Sequence, residues 1–431
     1  MSAESTNLHL LEIGRRGRAA AGVIARAGTD AKNAALVAMA DAVDRSSAAI
    51  LDANTADVAA AVKNGLTPAM IDRLRLNAKR LTAISDALRS VAALPDPVGS
   101  TVREWTRPNG LNISQVRVPL GVIGIIYESR PNVTCDAGSL CVKSGNAVIL
   151  RGGSEAIRSN TALAAAMREG LTAAGLPADA VQLVPTTDRA DVTAMCGMSG
   201  VIDVIIPRGG RGLIETVARE ARMPVIKHFD GVCAIYVDAD ADLAQAEAIA
   251  IDAKVRKPGV CNAVETLLVH ESVAAPFLAS AGRALLAEGV ELRCDERSRA
   301  IAGPLAAGTS GRVVAATPED FRTEFLDLKL AVKVVGSAGE AIDHIEANGS
   351  HHSDAILTRN ETTARNFLAA VDSATVYWNA STRFTDGMEF GFGAEIGIST
   401  DKFHARGPMG LEELTSYKYV LIGTGQIRGV R

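Results

Sequence analysis

The sequence predicts an α/β protein, and three observations support that fold class. Short apolar runs alternate with alanine-rich helical stretches over most of the chain. Hydrophobic residues make up 48% of the sequence but aromatic residues only 4%, which is typical of Val- and Ile-rich strands covered by helices. The length of 431 residues suits two or three domains. We therefore expect two α/β domains whose parallel sheets are covered on both faces.

The beginning of the chain is predicted to be helical and to lead into an extended hairpin. Helical spacing of Ala and Leu extends over Ala31–Val62 and Thr67–Val91, and it ends at the turn Leu94–Val98. Apolar residues then alternate over 104–118, which predicts a β-hairpin. Residues 416–431 alternate in the same way, so we expect them to pair with the hairpin as a β arm.

Two series of alternating strands and helices follow. The first predicts strands Val122–Tyr127, Ala147–Leu150, Val181–Leu183 and Val201–Ile206, with helices Val133–Lys143, Ser154–Ala174, Asp188–Cys196 and Gly209–Arg222. The second predicts strands Ala234–Val237, Val264–Val269, Glu291–Leu292, Ala331–Val335 and Ile356–Leu357, with helices Leu243–Lys254, Val273–Glu288, Ala338–Ala347 and Thr362–Ala370. We assign 1–103 and 119–231 to one domain, 232–405 to a second, and 104–118 with 416–431 to the arm.

Charge and composition exclude several classes of partner. The chain carries 45 basic and 49 acidic side chains, a net charge of -4, which gives no electrostatic case for nucleic acid or an anionic membrane. No apolar run approaches the roughly 20 residues that span a bilayer, and the first residues lack the apolar core of a signal peptide. The six cysteines show no paired spacing, so we expect reduced thiols and a cytoplasmic protein.

One cysteine stands apart from the others because of its local sequence. Cys261 lies in the turn Lys257-Pro-Gly-Val-Cys-Asn, which is predicted to precede a buried strand. Lys254, Arg256 and Lys257 are close in sequence and favour the thiolate, the form that attacks. A buried, unreactive thiol is the alternative. We predict that Cys261 is a nucleophile.

Polar and glycine-rich turns follow three of the predicted strands in the first series. Leu150–Glu155 and Pro207–Gly212 each place glycines and an arginine at a helix start, which suits a phosphate or pyrophosphate, although neither matches a full nucleotide fingerprint. The pair together predicts a dinucleotide site. Tyr127–Val133 brings Asn132, a candidate oxyanion donor, and Arg130, a candidate anion holder, to the same sheet edge. A helix cap and a surface charge are the alternatives for these two.

These motifs resemble those of the gamma-glutamyl phosphate reductases, a family of the aldehyde dehydrogenase superfamily. The resemblance spans the chain. One residue departs from the family pattern: Asn348 stands where we expect His or Tyr. The most specific motifs are Pro119–Val133, Lys143–Gly153, Lys257–Thr266, His344–Ile356 and Trp378–Gly387. The resemblance implies an aldehyde dehydrogenase-like fold, with a Rossmann-type NADPH-binding domain, a catalytic domain that carries the cysteine, and a small β arm for oligomerisation.

The same resemblance implies roles for individual residues. Cys261 is expected to be the nucleophile, and Asn132 with the Cys261 backbone N–H to form the oxyanion hole. The expected NADPH contacts are Lys143, Ser144, Arg151, Gly153, Gly209, Gly210 and Glu324, with Arg151 as the alternative to Lys143 for the cofactor lysine. Because Asn132 and Cys261 fall in different predicted domains, we expect the nucleophile at an interdomain cleft.

The histidines raise a metal hypothesis, which we reject at the level of sequence. His344, His351 and His352 lie close together, but neither a cysteine nor a carboxylate completes a recognisable ligand spacing. We therefore expect no metal. His228 is more informative, because hydrolytic aldehyde dehydrogenases carry at this position the glutamate that activates water. Without that base, a thioester is left for hydride or phosphate.

The expected reaction is reduction of L-glutamyl 5-phosphate to L-glutamate 5-semialdehyde and phosphate, the second step of proline biosynthesis by resemblance. Arg130, Ser381 and Arg383 are candidates for the substrate anions, and Asp386 or Glu128 for its ammonium group. A semialdehyde-oxidising dehydrogenase and a scaffold without catalysis remain alternatives, as does NADH in place of NADPH. We expect a homo-oligomer, dimer or tetramer, and a transient contact with glutamate 5-kinase.

Overall fold

A computed structural model describes residues 3–428, and these residues form two compact units. Unit 1 holds the chain up to Lys227, together with Gly391–Gly397 and the segment from Met409 onward. Unit 2 holds His228–Phe390 and Ile398–Pro408. Residues 1–2 of the predicted first domain and 429–431 of the predicted arm lie outside the described part. The functions that we assigned to the domains stay predictions.

Unit 1 begins with five helices, and local capping explains where the second predicted helical stretch breaks. Thr67 caps one helix, with Pro68 at its first position, and the Asn77 side chain accepts a hydrogen bond of 2.8 Å from the Arg80 N–H at the start of the next. The second predicted stretch is therefore two helices; the first is also two helices, and it divides at Ser46, whose side chain makes no capping bond. The helices are α1 (Ala3–Ile24), α2 (Thr29–Arg45), α3 (Ser47–Lys63), α4 (Pro68–Leu74) and α5 (Ala78–Ala93).

A four-stranded parallel sheet forms the core of unit 1, in the order β5-β4-β3-β6. Every residue of β3 and β4 is buried, because helices cover both faces of this sheet. The alternation of strands and helices agrees with the sequence prediction to within a few residues. The elements are β3 (Val122–Tyr127), α6 (Val133–Lys143), β4 (Ala147–Gly152), α7 (Ile157–Ala173), β5 (Val181–Leu183), α8 (Ala190–Cys196), β6 (Val204–Arg208) and α9 (Arg211–Glu220).

A three-stranded antiparallel sheet completes unit 1 and contains the predicted arm. Strands β1 (Thr101–Thr106) and β2 (Asn112–Pro119) form the hairpin, and β16 (Thr415–Ile422) pairs with β2. The pairing of the end of the chain with the early hairpin is therefore confirmed. Several apolar side chains of this sheet are exposed, namely Val102, Tyr417, Tyr419, Leu421 and Ile422.

Unit 2 is built on a seven-stranded parallel sheet in the order β10-β9-β11-β8-β7-β12-β13. A π-helical turn at Leu278–Gly282 interrupts the predicted helix 273–288 and divides it into α11 and α12. The elements are β7 (Cys233–Val237), α10 (Leu243–Val255), β8 (Val264–His270), α11 (Glu271–Phe277), α12 (Arg283–Ala287), β9 (Glu291–Cys294), α13 (Glu296–Ala302), β10 (Arg312–Ala315), β11 (Lys329–Val335), α14 (Ala338–Asn348), β12 (Ser353–Leu357), α15 (Glu361–Ala370), β13 (Thr375–Trp378), β14 (Ile398–Ser399) and β15 (Gly407–Pro408).

The sequence did not predict α13, β10 or β13. Strands β10 and β13 lie at the two edges of the seven-stranded sheet and are only partly buried, so they lack the continuous apolar run that identifies a central strand. Over residues 3–428, no helix is both long enough and apolar enough to cross a membrane.

Candidate active site

Cys261 lies in the loop between α10 and β8, as the sequence predicts. Pro258 and Gly259 form a turn just after α10, and Ala263 is the last residue before the central strand β8. The Cys261 side chain is half-buried, whereas the other five cysteines are buried, and none of the six forms a disulfide. Cys261 is therefore the cysteine that a substrate can reach.

Burial makes the other five thiols poor nucleophiles. It raises the pKa of Cys196 and of Cys294 to about 11 each, and it also raises the pKa of Cys135, Cys141 and Cys233. A thiol with such a pKa stays protonated at neutral pH and does not attack.

The backbone of Cys261 is held from one side by the segment that leads into β7. A Cβ on Gly231 would lie 2.6 Å from the Cys261 carbonyl carbon, so only glycine fits there. The Cys233 thiol donates to the Cys261 carbonyl oxygen at 3.2 Å. The Gly231 N–H donates to a carboxylate oxygen of Glu324 at 2.9 Å. Gly231 therefore contacts both Cys261 and Glu324.

The residue after Cys261 fixes the opposite side of the loop. The Asn262 side-chain amide donates to the carbonyl oxygens of Arg383 (3.2 Å) and Thr385 (2.9 Å). The Thr382 hydroxyl donates back to the Asn262 carbonyl at 2.7 Å. These three bonds attach the turn that carries Arg383 to the loop that carries Cys261.

Three of the predicted substrate residues lie in this turn. Arg383 has a buried Nε atom with no hydrogen-bond partner, which is available to an anion. Ser381 is buried and accepts from the Arg383 N–H at 3.3 Å, so its hydroxyl starts the turn. Asp386 accepts from the Met388 N–H at 2.9 Å. The bonds of Asn262 thus hold Arg383 and Ser381 close to the Cys261 loop.

Two histidines accompany the thiol. One ring nitrogen each of His228 and His352 and the sulfur of Cys261 lie within 4.8 Å of one another, and the two rings meet edge to face at 5.5 Å. His228 Nδ1 lies 2.9 Å from the Ile398 carbonyl oxygen, and His352 Nδ1 lies 2.9 Å from the Ser353 hydroxyl. Burial, aided by the nearby His228, lowers the pKa of His352 to about 3, so this ring is neutral.

The three histidines that were considered as metal ligands from the sequence do not form one cluster. His344 lies on α14, where its Nδ1 is 3.4 Å from the Lys333 ammonium, and burial followed by this charge lowers its pKa to about 4. His351 is only partly buried and faces Glu346. Within residues 3–428, the one cluster with metal-ligand geometry is that of His228, Cys261 and His352.

Asn132, the predicted oxyanion donor, stands at the start of α6 in unit 1. Its side chain does not cap the helix; the amide instead donates to the Asp136 carboxylate at 2.7 Å, one turn later. Burial raises the pKa of Asp136 to about 6. An amide has two N–H groups, so this bond orients Asn132 and leaves a second donor for an oxyanion.

Lys143 and Ser144 occupy interior positions at the end of α6. The Lys143 ammonium donates to the Asn33 side chain (2.5 Å) and the Ala92 carbonyl (2.8 Å), and its side chain is completely buried. The Ser144 hydroxyl donates to the Leu140 carbonyl at 2.6 Å and is also buried. Lys143 joins α6 to α2 and α5, whereas the Ser144 bond stays within the end of α6. Both side chains are buried and engaged, which argues against a direct cofactor contact for either.

Arg151 and Gly153 lie at the end of β4, where a parallel sheet commonly binds nucleotides. The Arg151 guanidinium donates to the carbonyls of Thr187 (3.2 Å) and Asp188 (3.1 Å), while its Nε is buried with no partner. A Cβ on Gly153 would collide with the Glu155 carboxylate. This geometry supports Arg151 rather than Lys143 as the basic cofactor residue.

The second predicted phosphate turn is occupied by a carboxylate of the protein. The Gly210 N–H, at the start of α9, donates to Glu128 at 3.0 Å, and a Cβ on Gly209 would overlap that carboxylate. The turn therefore has the space and the donor that an anion requires. This contact also opposes the alternative role of Glu128 in holding a substrate ammonium group. Arg130 is exposed after β3.

The comparison with known proteins agrees with the geometry. The model of the aldehyde dehydrogenase family matches residues 13–324. A relative from Parvibaculum lavamentivorans, named gamma-glutamyl phosphate reductase, is 56% identical over 99% of this chain and 100% of its own length. One of the same name from Moorella thermoacetica is 57% identical over 96% of this chain and 97% of its own.

A solved structure extends this similarity to the fold. The crystal structure of gamma-glutamyl phosphate reductase from Thermotoga maritima matches with a TM-score of 0.94 and 47% identity, over 97% of this chain and 100% of that one. The predicted aldehyde dehydrogenase-like fold is confirmed, and so is the resemblance drawn from the motifs. The chain belongs to the gamma-glutamyl phosphate reductase family of the aldehyde dehydrogenases.

Proposed function

We infer that this chain is an oxidoreductase that uses NADPH to reduce L-glutamyl 5-phosphate to L-glutamate 5-semialdehyde and phosphate, the second step of proline biosynthesis. Relatives of that name share more than half of its residues over nearly the whole chain. The observation that carries the proposal is the Cys261 loop, which presents one accessible thiol among six and fixes its backbone on two sides.

The thiol chemistry follows from that loop. The Cys261 thiolate attacks the γ-acyl carbon of the substrate, the C–O bond to phosphate breaks, and a thioester forms. Bound NADPH supplies a hydride to the thioester carbon. The resulting thiohemiacetal loses the Cys261 thiolate and gives the aldehyde. Asn132, oriented by Asp136, is the proposed donor to the oxyanion of these steps.

The cofactor fits the residues at the ends of β4 and β6. Arg151 offers a buried Nε without a partner. The Gly209–Gly210 turn binds the Glu128 carboxylate at a helix start, and a cofactor phosphate would take this position by displacing Glu128. A dinucleotide carries phosphates that need both kinds of donor. We retain Arg151, Gly153, Gly209 and Gly210 as cofactor residues. Glu324 is retained for the nicotinamide ribose, because its carboxylate already binds the Gly231 N–H beside Cys261.

The substrate anions are assigned to Arg383 first. Its unsatisfied, buried Nε and its attachment to Asn262 support a contact with the phosphate or the α-carboxylate. Ser381 and Asp386 belong to the same turn, and Arg130 is the exposed cation after β3. The position of the water-activating glutamate holds His228, so the thioester is left for phosphate in the oxidative direction.

The oxidative reaction gives the direct test. Purified protein is supplied with L-glutamate 5-semialdehyde and NADP⁺, with and without inorganic phosphate, and the absorbance of NADPH is followed. We expect turnover only with phosphate, faster with NADP⁺ than with NAD⁺, and none in Cys261→Ser. Turnover without phosphate would instead identify a hydrolytic semialdehyde dehydrogenase. Equal behaviour of Cys261→Ser and the parent protein, with no turnover in either, would support a scaffold without catalysis.

We also propose a homo-oligomeric assembly, a transient partner and a cytoplasmic location. The exposed apolar residues of the β1-β2-β16 sheet support a homo-oligomer, because a monomer rarely leaves such a patch open. Sedimentation of the protein, compared with Leu421→Glu, tests this arm. Transient contact with glutamate 5-kinase is proposed because the acyl phosphate is labile. A cytoplasmic location is proposed from the free cysteines.

A further inference from the structure

Cys261 shares its surroundings with two imidazoles for which the proposed reaction has no use. His228, Cys261 and His352 come from three separate segments: the one before β7, the loop before β8, and the one before β12. The fold nevertheless brings one nitrogen of each histidine and the sulfur within 4.8 Å of one another. This convergence is absent from the linear spacing, which is why the sequence predicted no metal.

The donor set is that of a borderline-soft divalent cation. Thiolate and imidazole are the usual ligands of Zn²⁺, with bonds of about 2.3 Å to sulfur and about 2.0 Å to nitrogen in a tetrahedral arrangement. Ligand atoms around such an ion lie roughly 3.5 Å apart. The three atoms of this cluster reach that spacing by side-chain shifts of about 1 Å.

A second observation points to a ligand. His352 is completely buried, and its Nε2 has no hydrogen-bond partner, although Ser353 engages its Nδ1. A buried polar atom without a partner is unusual in a native structure and calls for an explanation. His228 is fixed as well, through the bond to the Ile398 carbonyl. A histidine whose one nitrogen is held by an oxygen presents the other nitrogen to a metal in many proteins.

We propose that His228, Cys261 and His352 form a three-ligand site for Zn²⁺ or a similar cation, and that its occupation reversibly silences the nucleophile. On binding, the Cys261 thiol releases its proton to solvent and a metal–sulfur bond forms, with no change of oxidation state. Water or an anion completes the fourth position. The silencing rests on the proposed role of Cys261 in catalysis, whereas binding of the metal does not.

Cobalt is the first probe, because Co²⁺ takes zinc sites and reports its ligands by colour. The full-length protein is titrated with Co²⁺ and then with Zn²⁺. We expect one equivalent of Co²⁺ to give a thiolate-to-cobalt charge-transfer band, which Cys261→Ser abolishes and Zn²⁺ displaces. His228→Gln and His352→Gln should each weaken binding at least about tenfold. His9→Gln, on the exposed surface of α1, is the matched control and should leave binding unchanged.

Protection of the thiol is the second readout and is independent of turnover. Iodoacetamide labelling of Cys261, followed by mass spectrometry, should slow at least about tenfold with Zn²⁺ and recover on addition of EDTA. A cobalt spectrum without the thiolate band, or unchanged binding in His228→Gln, overturns the proposal. If His352→Gln does not fold, His228→Gln decides. An inactive parent protein that still shows the band would refute the proposed function but keep the metal site.

Discussion

Gly231→Ala tests whether the proposed reaction at Cys261 requires the close packing of Gly231 against the Cys261 backbone. The added Cβ would lie 2.6 Å from the Cys261 carbonyl carbon and 2.7 Å from its Cα, and real Cβ atoms essentially never come closer than 3.0 Å to such neighbours. Backbone atoms cannot rotate away as a side chain does. The two segments must therefore move apart by about 1 Å to reach ordinary carbon–carbon contact.

That displacement sets the size of the expected effect. A misplacement of about 1 Å at a reacting group can lower the rate by about 100-fold, so we expect kcat/KM for the phosphate-dependent oxidation of the semialdehyde to fall by that factor. Overpacking of this kind costs about 1–3 kcal/mol of unfolding free energy, which leaves the protein folded. The bond from the Gly231 N–H to Glu324 should be disturbed too, so the KM for NADP⁺ should rise.

Gly303→Ala is the matched control in unit 2. An added Cβ there meets nothing within 4 Å, and the backbone has helical φ and ψ angles. Its kcat/KM should equal that of the parent protein, and its unfolding free energy should be equal or higher by up to about 1 kcal/mol, because alanine restricts the unfolded chain. Parent-like kcat/KM in a folded Gly231→Ala protein would show that Cys261 does not depend on this packing, and the reasoning from the loop would then be refuted.

Three further predictions concern buried charges. Lys254→Met should lower the unfolding free energy by about 3 kcal/mol in urea at pH 8, because the Glu265 carboxylate, whose pKa burial raises to about 7, loses its buried partner. Asp136→Asn should gain stability relative to the parent protein as the pH rises from about 4 to about 6. Lys143→Met should cost about 1–3 kcal/mol without changing the KM for NADP⁺, whereas Arg151→Met should raise that KM about tenfold.

The sign of the pH effect follows from the raised pKa of Asp136. The folded protein holds the Asp136 proton more tightly than the unfolded chain, so its contribution to stability is complete below pH 4 and is lost as the pH passes about 6. Asparagine does not titrate, so Asp136→Asn keeps its stability over this pH range. The difference in unfolding free energy between the variant and the parent protein, measured in urea at each pH, isolates the contribution of Asp136. A constant difference over this window would contradict the prediction.

The other two predictions have simple controls. Arg365→Ala breaks the exposed pair with Glu361 and should cost no more than about 0.5 kcal/mol, in contrast to Lys254→Met. A stability change of equal size in both variants would contradict the argument from burial. A raised KM for NADP⁺ in Lys143→Met would restore that residue to the cofactor site.

Much of the fold could be predicted because its core strands are continuous apolar runs. Val122–Tyr127 and Val133–Lys143 have the predicted bounds, since a fully buried strand followed by a Pro- and Asn-containing turn leaves little ambiguity. Edge strands such as Arg312–Ala315 were missed, because a half-exposed strand of four residues has no distinctive period. The break of the predicted helix at Leu278–Gly282 was missed because nothing in helical spacing encodes a π turn.

The site was predictable only where its residues are adjacent in sequence. Cys261 and the glycine turns carry local signals, and Asp136 could have been found as the carboxylate four residues after Asn132 on a helix. His352 could not, because its neighbours His228 and Cys261 are remote in the chain. Lys143 is the opposite case: a lysine at a helix end is expected to be exposed, whereas the packing of α2 and α5 covers it, and its cofactor contact stays a prediction.

Differences in burial alone give a reason why one thiol of the six is suited to the proposed catalysis. Five thiols are buried, and burial raises each pKa, which keeps them protonated. Cys261 is only half-buried, because its loop is fixed through backbone groups, by the Gly231 packing and the Cys233 thiol on one side and Asn262 on the other. Anchoring by the backbone leaves the side chain uncovered. His228 and His352 approach the same thiol, so the side chain proposed to attack an acyl phosphate is also the one proposed to bind a cation.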